Sequence, residues 1–598
     1  MTDNIAIIQL GPGAALLAAE IKAALPGAEI HSRQGVGAGD VAFTEVGTHL
    51  RALFAAGRPI VGICASAILI RCLAGALGDK TIEPPVIAVA EDGSAVVPLL
   101  GGHGGANELS QRLARALGSV AAITTASEVR FGISLDEAPE GYRLADRVFV
   151  KPFVAQLLAG AGCRLEGQAD WLRQSGLPFA DDGAVTIAVT DKSEQSGPHR
   201  LVYHPTSLAV GVGCARGTEA GELIALVRDG LEQAGLSAQS VAGIFSIDVK
   251  ADEPAVHALA EELGVAARFF TAEQLEKEKP RLASPSARVF AEVGCHGVAE
   301  GAALAAAGAE GDLILPKQKS ANATCAIARA PAPIDARQCG HARGRLAIIG
   351  IGPGTDDWRT PEASALVARA DCLVGYGLYL DLLGPLAEGK ERHEFPLGAE
   401  EVRVRAALDL AAQGRDVALI SSGDAGIYAM ASLAFELLAT GDAPGWARIA
   451  VRVAPGISAL QAAAARAGAP LGHDFCAISL SDLLTPWDAI RKRIEAAAAA
   501  DFVVAFYNPA SQKRRHQLVE AMSILRAHRP GDTPVILARN LGRADERVRF
   551  TTIAACDPDE VDMLTLVMVG ASSTRRISQG HSGEWVFTPR GYEGKNKR

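Results

Sequence analysis

Five short segments rich in glycine, serine and proline follow apolar runs in the second half of this 598-residue chain. Each apolar run is typical of a buried β-strand, and loops at the carboxyl ends of parallel strands are where α/β folds bind small molecules. Glycine in such a loop lets the backbone approach a ligand closely. We therefore expect one shared ligand cleft formed by 348–354 (IIGIGPG), 421–426 (SSGDAG), 455–459 (PGISA), 507–509 (YNP) and 538–540 (ARN).

The glycine segment 350–354 (GIGPG) is weak evidence by itself, because a tight turn has the same composition. Its G-x-G-x-G spacing differs from the G-x-G-x-x-G of dinucleotide-binding folds. No strand ending in Asp or Glu follows convincingly about 20 residues later to hold a ribose. A nicotinamide enzyme is therefore the remote alternative.

Bulk composition excludes several classes of function. A net charge of −10 disfavours a nucleic-acid binder. The ten cysteines are scattered without a C-x-x-C or a paired Cys/His spacing, so we expect no metal site and reduced thiols. The N-terminus lacks the basic region of a signal peptide, and no apolar run approaches the roughly 20 residues of a membrane span. These features predict a cytoplasmic protein with no membrane partner.

Alternating strand and helix patterns predict a multidomain α/β chain. Apolar runs predict a strand at Val241–Ile247, and helical periodicity predicts helices at Val298–Ala307 and Ile427–Leu438. A proline-containing stretch of small residues without helical periodicity is typical of a linker. We expect the domains 1–125, 126–205 and 206–329, a linker over 330–344, and a last domain over 345–590.

Six segments of the last domain carry a family resemblance: GIGPG (350–354), SSGDAGIYAM (421–430), APGISA (454–459), GHDFCAISLSDLLTPW (472–487), FYNP (506–509) and ARNLG (538–542). On these motifs, residues 345–575 resemble the tetrapyrrole methylase family, and within it the precorrin-3B C17-methyltransferases of cobalamin biosynthesis. The resemblance implies a two-lobed fold, S-adenosylmethionine as cofactor, a tetrapyrrole substrate and a homodimer formed through this domain. It also implies that C17 methylation accompanies contraction of the macrocycle.

The same resemblance implies which residues form the site. Its cofactor contacts are Gly352, Pro353, Gly423, Asp424, Ile427, Tyr428, Ser458, Ala459, Asn508, Ala538 and Ala571. Arg539 and Arg543 are candidates for substrate carboxylates, which guanidinium groups bind well. Asp424 and His473 are the candidate catalytic residues, His473 as a base for ring contraction. Two alternatives stay open, namely that Asp424 is the N-cap of helix Ile427–Leu438 and that His473 is structural.

The N-terminal 330 residues carry a second resemblance, in PLLGGHGGANEL (98–109), ITTASE (123–128), GICASAILIR (62–71), VGVGCARGT (210–218), SIDVKADEP (246–254) and GVAEGAAL (297–304). They resemble the cobalt-precorrin-5A hydrolase family, whose members open a lactone on the contracted macrocycle and release acetaldehyde. Glu83 and Glu128 stand where that family commonly has aspartate. His103 is the candidate general base, supported by the polar groups of Asn107 and Glu108. The alternative is that this glycine-rich segment is only a carboxylate-binding turn.

Two readings of the whole chain remain open from sequence. In the first, two enzymes of one pathway are fused. In the second, the N-terminal half is a non-catalytic tetrapyrrole-binding or delivery module that serves the methyltransferase. The sequence does not decide whether the macrocycle is metal-free or already holds cobalt.

Overall fold

The structure, a computed structural model, describes residues 4–37, 39–78, 82–511, 514–578 and 583–592, without the side chain of His103. The candidate base His103 therefore has its side chain outside the described part. The described strands form six sheets, most of them covered by helices, and the predicted multidomain α/β class is confirmed. Because each of the first three sheets draws its strands from one continuous segment, we propose domain boundaries at 1–125, 126–205 and 206–329, followed by 345–590.

The first sheet has seven strands in the order β3-β2-β1-β4-β5-β6-β7, all paired in parallel except β5 with β6. Its three central strands, β1, β4 and β5, are fully buried and largely apolar, as expected of a sheet that helices cover on both faces. Its elements are β1 Ala6–Gln9, α1 Ala15–Ala24, β2 Glu29–Arg33, β3 Val41–Phe43, α2 Val46–Ala55, β4 Ile60–Ile63, α3 Ser66–Leu73, β5 Val86–Val89, β6 Ala95–Leu100, α4 Ala106–Leu117 and β7 Val120–Ala121.

A pair of histidines, one buried and one half-buried, joins β2 of this sheet to α2. His31 of β2 is 2% exposed, and its Nδ1 lies 2.8 Å from Nε2 of His49 on α2. Burial, together with the charges of Arg58 and His49, lowers the pKa of His31 from 6.5 to about 4 against the opposing effect of Glu29. The folded state therefore favours the neutral ring. The stabilisation is complete above the ordinary pKa and is lost as the pH falls from 6.5 towards 4.

Between pH 7 and pH 5 we expect the free energy of opening of the N-terminal sheet to fall by on the order of 2 kcal/mol, because the pKa of His31 is lowered in the folded state. Hydrogen exchange at the amides of β1 and β2 in the full chain measures this loss. The variant His31→Gln should show a flatter pH dependence, and the same change at the exposed His199 should not alter it. Equal slopes in wild type and His31→Gln would contradict the expectation.

The second sheet is small, with the order β8-β11-β10-β9. Its core is aromatic, with Phe153 and Tyr203 fully buried and Trp171 packed edge-on against Tyr203 at 5.2 Å. The weak sequence pattern of 126–205 hid these elements: α5 Ala126–Phe131, β8 Tyr142–Leu144, α6 Val150–Leu158, β9 Cys163–Glu166, α7 Asp170–Arg173, β10 Val185–Val189 and β11 Arg200–Pro205.

The third sheet has the order β14-β13-β12-β16-β15, and an alanine-rich helix packs directly on its centre. The elements are β12 Leu208–Cys214, α8 Ala220–Gln233, β13 Val241–Ile247, α9 Pro254–Glu262, β14 Ala266–Phe270, α10 Ala272–Glu276, α11 Ala287–Val293, α12 Val298–Ala307, β15 Asp312–Lys319 and β16 Ala323–Arg329. A Cβ at Gly211 would overlap the carbonyl oxygen of Ala299, so only glycine lets α12 lie this close. The buried Glu300 of α12 accepts backbone N–H groups of Ser284 and Lys317, both at 2.9 Å.

The linker 330–344 is held against both neighbouring domains. Arg268 donates to the carbonyl oxygens of Arg337, Cys339 and Gly340 at 2.8 to 2.9 Å. Phe269 and His341 exchange two backbone hydrogen bonds of 2.8 Å. The segment is therefore fastened along its length to the third sheet and does not behave as a free tether.

The last domain begins with a five-stranded parallel sheet of order β19-β18-β20-β17-β21. Thr360 caps the first helix of this domain by accepting the Ala363 N–H at 3.1 Å. The elements are β17 Arg345–Gly350, α13 Pro361–Arg369, β18 Cys372–Gly375, α14 Gly377–Asp381, β19 Glu391–Glu394, α15 Glu400–Ala412, β20 Asp416–Ser421, α16 Met430–Thr440 and β21 Ala450–Ala454.

A second lobe follows, with a mixed sheet of order β23-β24-β27-β25-β26 and a small sheet of order β22-β29-β28. Its elements are α17 Ala459–Ala467, β22 Gly468–Ala469, β23 Phe475–Ser479, α18 Trp487–Ala499, β24 Val503–Tyr507, α19 His516–His528, β25 Pro534–Arg539, β26 Arg547–Thr552, β27 Thr565–Val569, β28 Arg575–Ser578 and β29 Glu584–Phe587. Among the described helices of the whole chain, none combines the length and apolarity that a membrane crossing requires.

Candidate functional site

A cavity of about 240 Å³ lies between the two lobes of the last domain, where the predicted loops meet. Both lobes contribute to its wall: the first through the loops after β17, β20 and β21, the second through those after β24 and β25. Its lining residues are Pro353, Tyr379, Ser422, Gly423, Asp424, Ile427, Tyr428, Ala429, Ser458, Ala459, Tyr507, Asn508, Ala538, Asn540, Leu541, Arg543, Met563, Leu564 and Leu566.

Glycine contacts hold the loops against one another. Gly352 and Gly423 exchange two backbone hydrogen bonds, of 3.1 and 2.8 Å. A Cβ at Gly456 would overlap the carbonyl oxygen of Gly423 and lie 2.6 Å from that of Gly350. A Cβ at Gly354 would overlap the carbonyl oxygen of Gly542, in the second lobe. The loops thus nest backbone on backbone, which leaves backbone groups rather than side chains to face much of the cavity.

Asp424 fastens two of these loops together. Its Oδ1 accepts the Gly426 N–H at 2.8 Å, and its Oδ2 accepts the Gly456 N–H at 3.0 Å. The alternative reading of Asp424 as a helix N-cap is wrong. The helix α16 begins at Met430, its N-cap is Ala429, and no side chain caps it. The intervening residues form an irregular loop because Asp424 binds Gly426 and turns the chain before the helix can start.

Backbone strain concentrates at this cavity. Among the described residues, five non-glycine residues have positive φ, and three of them line it: Tyr428 (51°), Asn508 (50°) and Asn540 (55°). Left-handed backbone at such residues costs free energy and persists only where surrounding contacts impose it. At Asn508 one such contact is the hydrogen bond that its side-chain amide donates to Ser479 Oγ at 3.1 Å.

Two tyrosines and a helix terminus form one wall. The rings of Tyr428 and Tyr507 lie 5.2 Å apart, and burial raises the pKa of both phenols. The Tyr428 hydroxyl donates to the carbonyl oxygen of Ala477 at 2.9 Å, and the Tyr507 hydroxyl accepts the Leu460 N–H at 3.0 Å. Ser458 caps α17 in a reciprocal arrangement with Gln461, so its hydroxyl is engaged and the N-terminus of α17 faces the cavity.

The two candidate arginines have different positions. Arg543 lines the cavity, where Nε donates to the Pro353 carbonyl oxygen at 3.1 Å and Nη2 donates to Ser422 Oγ at 3.3 Å. This side chain crosses from the second lobe to the first. Arg539 does not line the cavity, and its Nε pairs with Asp562 at 2.9 Å. The structure therefore brings only Arg543 to the predicted cleft.

His473 and Ala571 lie away from the cleft, which corrects the expectation that they join it. Both line a different cavity, of about 370 Å³, together with Asp501, Ser573 and Arg590. His473 precedes β23, whereas the cleft lies at the carboxyl end of that strand, about 16 Å away for five residues. Ala571 follows β27, which runs antiparallel to β24 and so ends at the opposite edge. The His473 imidazole, 58% exposed, has Asp474 as its ion-pair partner.

Sequence reasoning missed several lining residues. Tyr507 and Asn540 belong to the quoted strand-end segments but were not singled out, and their positions next to Asn508 and Ala538 are the signal that could have found them. Tyr379, Met563, Leu564 and Leu566 come from α14 and from the start of β27, where no motif marks a ligand. Gly352 was expected at the cofactor, and the structure shows it behind the wall, paired with Gly423.

In the N-terminal domain, Asn107 and Glu108 occupy the first turn of α4. Asn107 is buried, and its amide donates to Thr125 Oγ1 and to Glu128 Oε1, both at 3.1 Å. Glu108 is exposed. Asn107 thus orients another side chain of the same motif set, Glu128, rather than pointing to solvent.

One group of potential metal ligands occurs among the described residues, at Cys372, Glu391 and His393. These neighbours on β18 and β19 bring their ligand atoms within 4.8 Å of one another. Arg415 already pairs with Glu391 at 2.7 Å, and His393 lies 2.9 Å from the same carboxylate. The arrangement is an ion-pair network in which Arg415 neutralises the negative charge of Glu391.

Comparison with protein families matches three segments of the chain. Residues 345–557 match the model described as Tetrapyrrole (Corrin/Porphyrin) Methylases. Residues 48–128 match Cobalamin synthesis G N-terminal, and residues 208–328 match Cobalamin synthesis G C-terminus. The two resemblances drawn from sequence motifs are thereby confirmed.

Individual relatives match the last domain. The precorrin-3B C(17)-methyltransferase of a Sinorhizobium species is 42% identical over 254 residues, which are 42% of this chain and 99% of that protein. The cobalamin biosynthesis protein CobIJ of Mycobacterium bovis is 46% identical over 253 residues, 42% of this chain and 48% of that protein. The chain therefore spans about half the length of that relative. A crystal structure of the methyltransferase CobJ is 42% identical, with a TM-score of 0.39, over 41% of this chain and all of that one.

Proposed function

Because the chain belongs to the tetrapyrrole methylase family, we propose that residues 345–590 methylate C17 of a precorrin-3B-type tetrapyrrole in cobalamin biosynthesis and assist contraction of its ring. We propose S-adenosylmethionine as the methyl donor. The observation that carries the proposal is the meeting of strand-end loops from both lobes at one cavity, with glycine contacts that exclude any Cβ.

The residues of the cavity fit such a cofactor. S-adenosylmethionine supplies an electrophilic methyl group together with a carboxylate, an ammonium and an adenine for the protein to hold. The N-terminus of α17 at Ser458 and Ala459 is suited to a carboxylate. Carbonyl oxygens of the nested loops are suited to an ammonium group, and Ala538 and Leu566 offer an apolar surface to a base. Methyl transfer needs positioning more than side-chain chemistry, and tightly nested loops provide it.

The macrocycle needs a larger and more open surface. A cavity of about 240 Å³ holds at most a cofactor-sized ligand, so we place the tetrapyrrole across its mouth. Tyr428, Met563 and Leu564 line that mouth while roughly half of each side chain is exposed to solvent. These apolar groups suit the face of a macrocycle, and Arg543 suits one of its peripheral carboxylates.

Calorimetry and mass spectrometry of the full chain test this function. We expect S-adenosylhomocysteine to bind and NAD to give no heat; the reverse would favour the remote nicotinamide alternative. Incubation with S-adenosylmethionine and either precorrin-3B or cobalt-factor III should add one methyl mass to the accepted macrocycle. The accepted macrocycle also decides between metal-free and cobalt-bound substrates.

Replacing Arg543 with methionine is expected to raise the KM for the macrocycle by about 10- to 100-fold, because a hydrogen bond to a charged group contributes about 1.5–3 kcal/mol. Steady-state methyl transfer at saturating S-adenosylmethionine measures it. Arg543→Lys should recover part of the loss, and Arg547→Met, at an exposed position on β26, is the matched control. An unchanged KM in Arg543→Met would remove this residue from the substrate site.

For the N-terminal half we propose lactone opening with release of acetaldehyde, on the resemblance of residues 1–330 and the two family matches. The competing proposal is a non-catalytic module that holds the tetrapyrrole for the methyltransferase. Acetaldehyde release from cobalt-precorrin-5A by the full chain favours the first, and its absence alongside intact methylation favours the second.

We further propose a homodimer formed through the methylase domain and a cytoplasmic location. The support for the dimer is the family resemblance, and sedimentation of the full chain tests it. The support for the location is that all ten cysteines are free thiols in the structure, as in a reducing compartment.

A further inference from the structure

Four carboxyl groups gather near the start of α4 in the N-terminal domain, far along the chain from the methyltransferase cleft. They come from three segments: Glu108 from α4, Glu128 from α5, and Asp136 and Glu137 from the segment that follows α5. The charges of the other three carboxylates raise the pKa of Glu137, and Asp136 also raises that of Glu128. The fold does not require this repulsion between carboxylates, which indicates a chemical role for the cluster.

Glu128 lies at the base of the cluster and is only 8% exposed. Its Oε1 accepts the Asn107 amide at 3.1 Å. Its Oε2 is buried and makes no hydrogen bond with any described residue. A buried carboxylate oxygen without a partner costs free energy that a purely structural glutamate would avoid. The unpartnered oxygen points to a bound water or substrate group at this place.

Glu137 is the second carboxyl group of a pair that it forms with Glu128. Burial, with Asp136, Glu128 and Glu108, raises its pKa to about 8, and Arg147 opposes them only in part. Glu137 therefore carries its proton at neutral pH. Burial also raises the pKa of Glu128, and the hydrogen bond from Asn107 opposes that rise. Two neighbouring carboxyl groups in unequal surroundings can divide the roles of general base and general acid between them.

The N-terminus of α4 completes the arrangement. Its N-cap is Gly105 and no side chain caps this 12-residue helix. The Ala106 N–H donates to the Gly101 carbonyl oxygen at 3.2 Å, which leaves the N–H groups of Asn107 and Glu108 without a side-chain cap. The Asn107–Glu128 hydrogen bond ties this turn directly to the carboxylate. Unsatisfied N–H groups at a helix N-terminus stabilise a developing oxyanion. Such groups also offset part of the negative charge of the cluster when an anionic macrocycle approaches.

We propose that Glu128, Glu137 and the first turn of α4 form a hydrolytic centre for a tetrapyrrole lactone, an inference that rests on the proposed lactone-opening function of this half. Glu128 takes a proton from water as the water oxygen bonds to the lactone carbonyl carbon. The bond between that carbon and the ring oxygen breaks, and the departing oxygen takes the proton of Glu137. One water is consumed, and a carboxylic acid and an alcohol form. The bond between the alcohol carbon and the macrocycle then breaks, its electron pair stays on the macrocycle carbon, which takes up the hydroxyl proton, and acetaldehyde leaves without any external oxidant or reductant. Asn107 is a positioning residue that orients Glu128.

The test uses one preparation of the full chain, with acetaldehyde release measured on cobalt-precorrin-5A and methyl transfer from S-adenosylmethionine measured separately on precorrin-3B and cobalt-factor III. Glu128→Gln keeps the size of the side chain and the Asn107 contact, and should lower acetaldehyde release by at least about 100-fold, the scale of a lost general base. Glu128→Asp should recover part of the rate. Glu20→Gln, at an exposed position on α1, is the matched control.

The pH profile separates chemistry from structure. In wild type, lactone opening should decline as the pH rises through about 8, where Glu137 loses its proton, and Glu137→Gln should lose this alkaline limb along with most of the rate. A wild-type rate in Glu128→Gln would overturn the inference while leaving the proposed lactone opening in place. A wild type that methylates normally but releases no acetaldehyde would overturn both.

Discussion

Replacing Gly456 with alanine is expected to lower the affinity for S-adenosylhomocysteine by roughly 100-fold and to abolish measurable methyl transfer. The added Cβ would overlap the carbonyl oxygen of Gly423 and lie 2.6 Å from that of Gly350. Both obstacles are backbone atoms of neighbouring loops, which cannot turn aside as a flexible side chain can. The loops must separate, and the separation distorts the wall of the cavity on two sides. Titration calorimetry of the full chain measures the loss.

Gly531→Ala is the matched control, because its Cβ would meet only the Ala554 Cβ at 3.4 Å, an ordinary contact. This variant should bind like wild type. Binding by Gly456→Ala at the wild-type affinity would mean that the nested loops do not shape the cofactor site.

Replacing Asp424 with asparagine is expected to cost about 10- to 100-fold in cofactor affinity, because each hydrogen bond to a carboxylate contributes about 1.5–3 kcal/mol. The carboxylate accepts the N–H of Gly426 with one oxygen and that of Gly456 with the other. Asparagine has a single acceptor oxygen, so its NH₂ group must face one of these donors. The same calorimetric titration detects the loss.

Asp532→Asn, at an exposed position in the second lobe, serves as the control for Asp424. If Asp424→Asn kept full affinity while Gly456→Ala lost it, the glycine contacts alone would account for the position of the loops. Asp424 would then have no part in holding the site together.

Elements with strong and regular patterns were predictable from the sequence. The strand Val241–Ile247 and the helix Val298–Ala307 have the predicted bounds. Most of their residues are apolar or small, and Gly308 marks the end of the helix. The four-stranded sheet within 142–205 was not foreseen, because its strands are short and their burial depends on aromatic contacts from distant segments, such as Trp171 against Tyr203. The strand Asp312–Lys319 was not predicted either, because Pro316 and three charged residues interrupt its apolar pattern.

The residues of the candidate site were likewise predictable only in part. Composition predicted which strand-end loops meet at a cleft, and the residues that the family resemblance implied in those loops, such as Asp424 and Ser458, line the cavity. His473 and Ala571 were misplaced because a motif does not reveal the direction of a strand, and both lie at the edge of the second-lobe sheet opposite the cleft. Glu128 entered only as part of a family motif. Its unpartnered oxygen and its contact with Asn107 arise from the packing of α5 on α4 and have no local sequence signal.

The measurement that tests the central claim most directly is the transfer of a ¹³C-labelled methyl group from S-adenosylmethionine to the tetrapyrrole by the full chain, with the product located by NMR. The account predicts one labelled methyl on C17 with wild type and Gly531→Ala, and none with Gly456→Ala. An unlabelled macrocycle recovered from folded wild-type chain with both precorrin-3B and cobalt-factor III would contradict it.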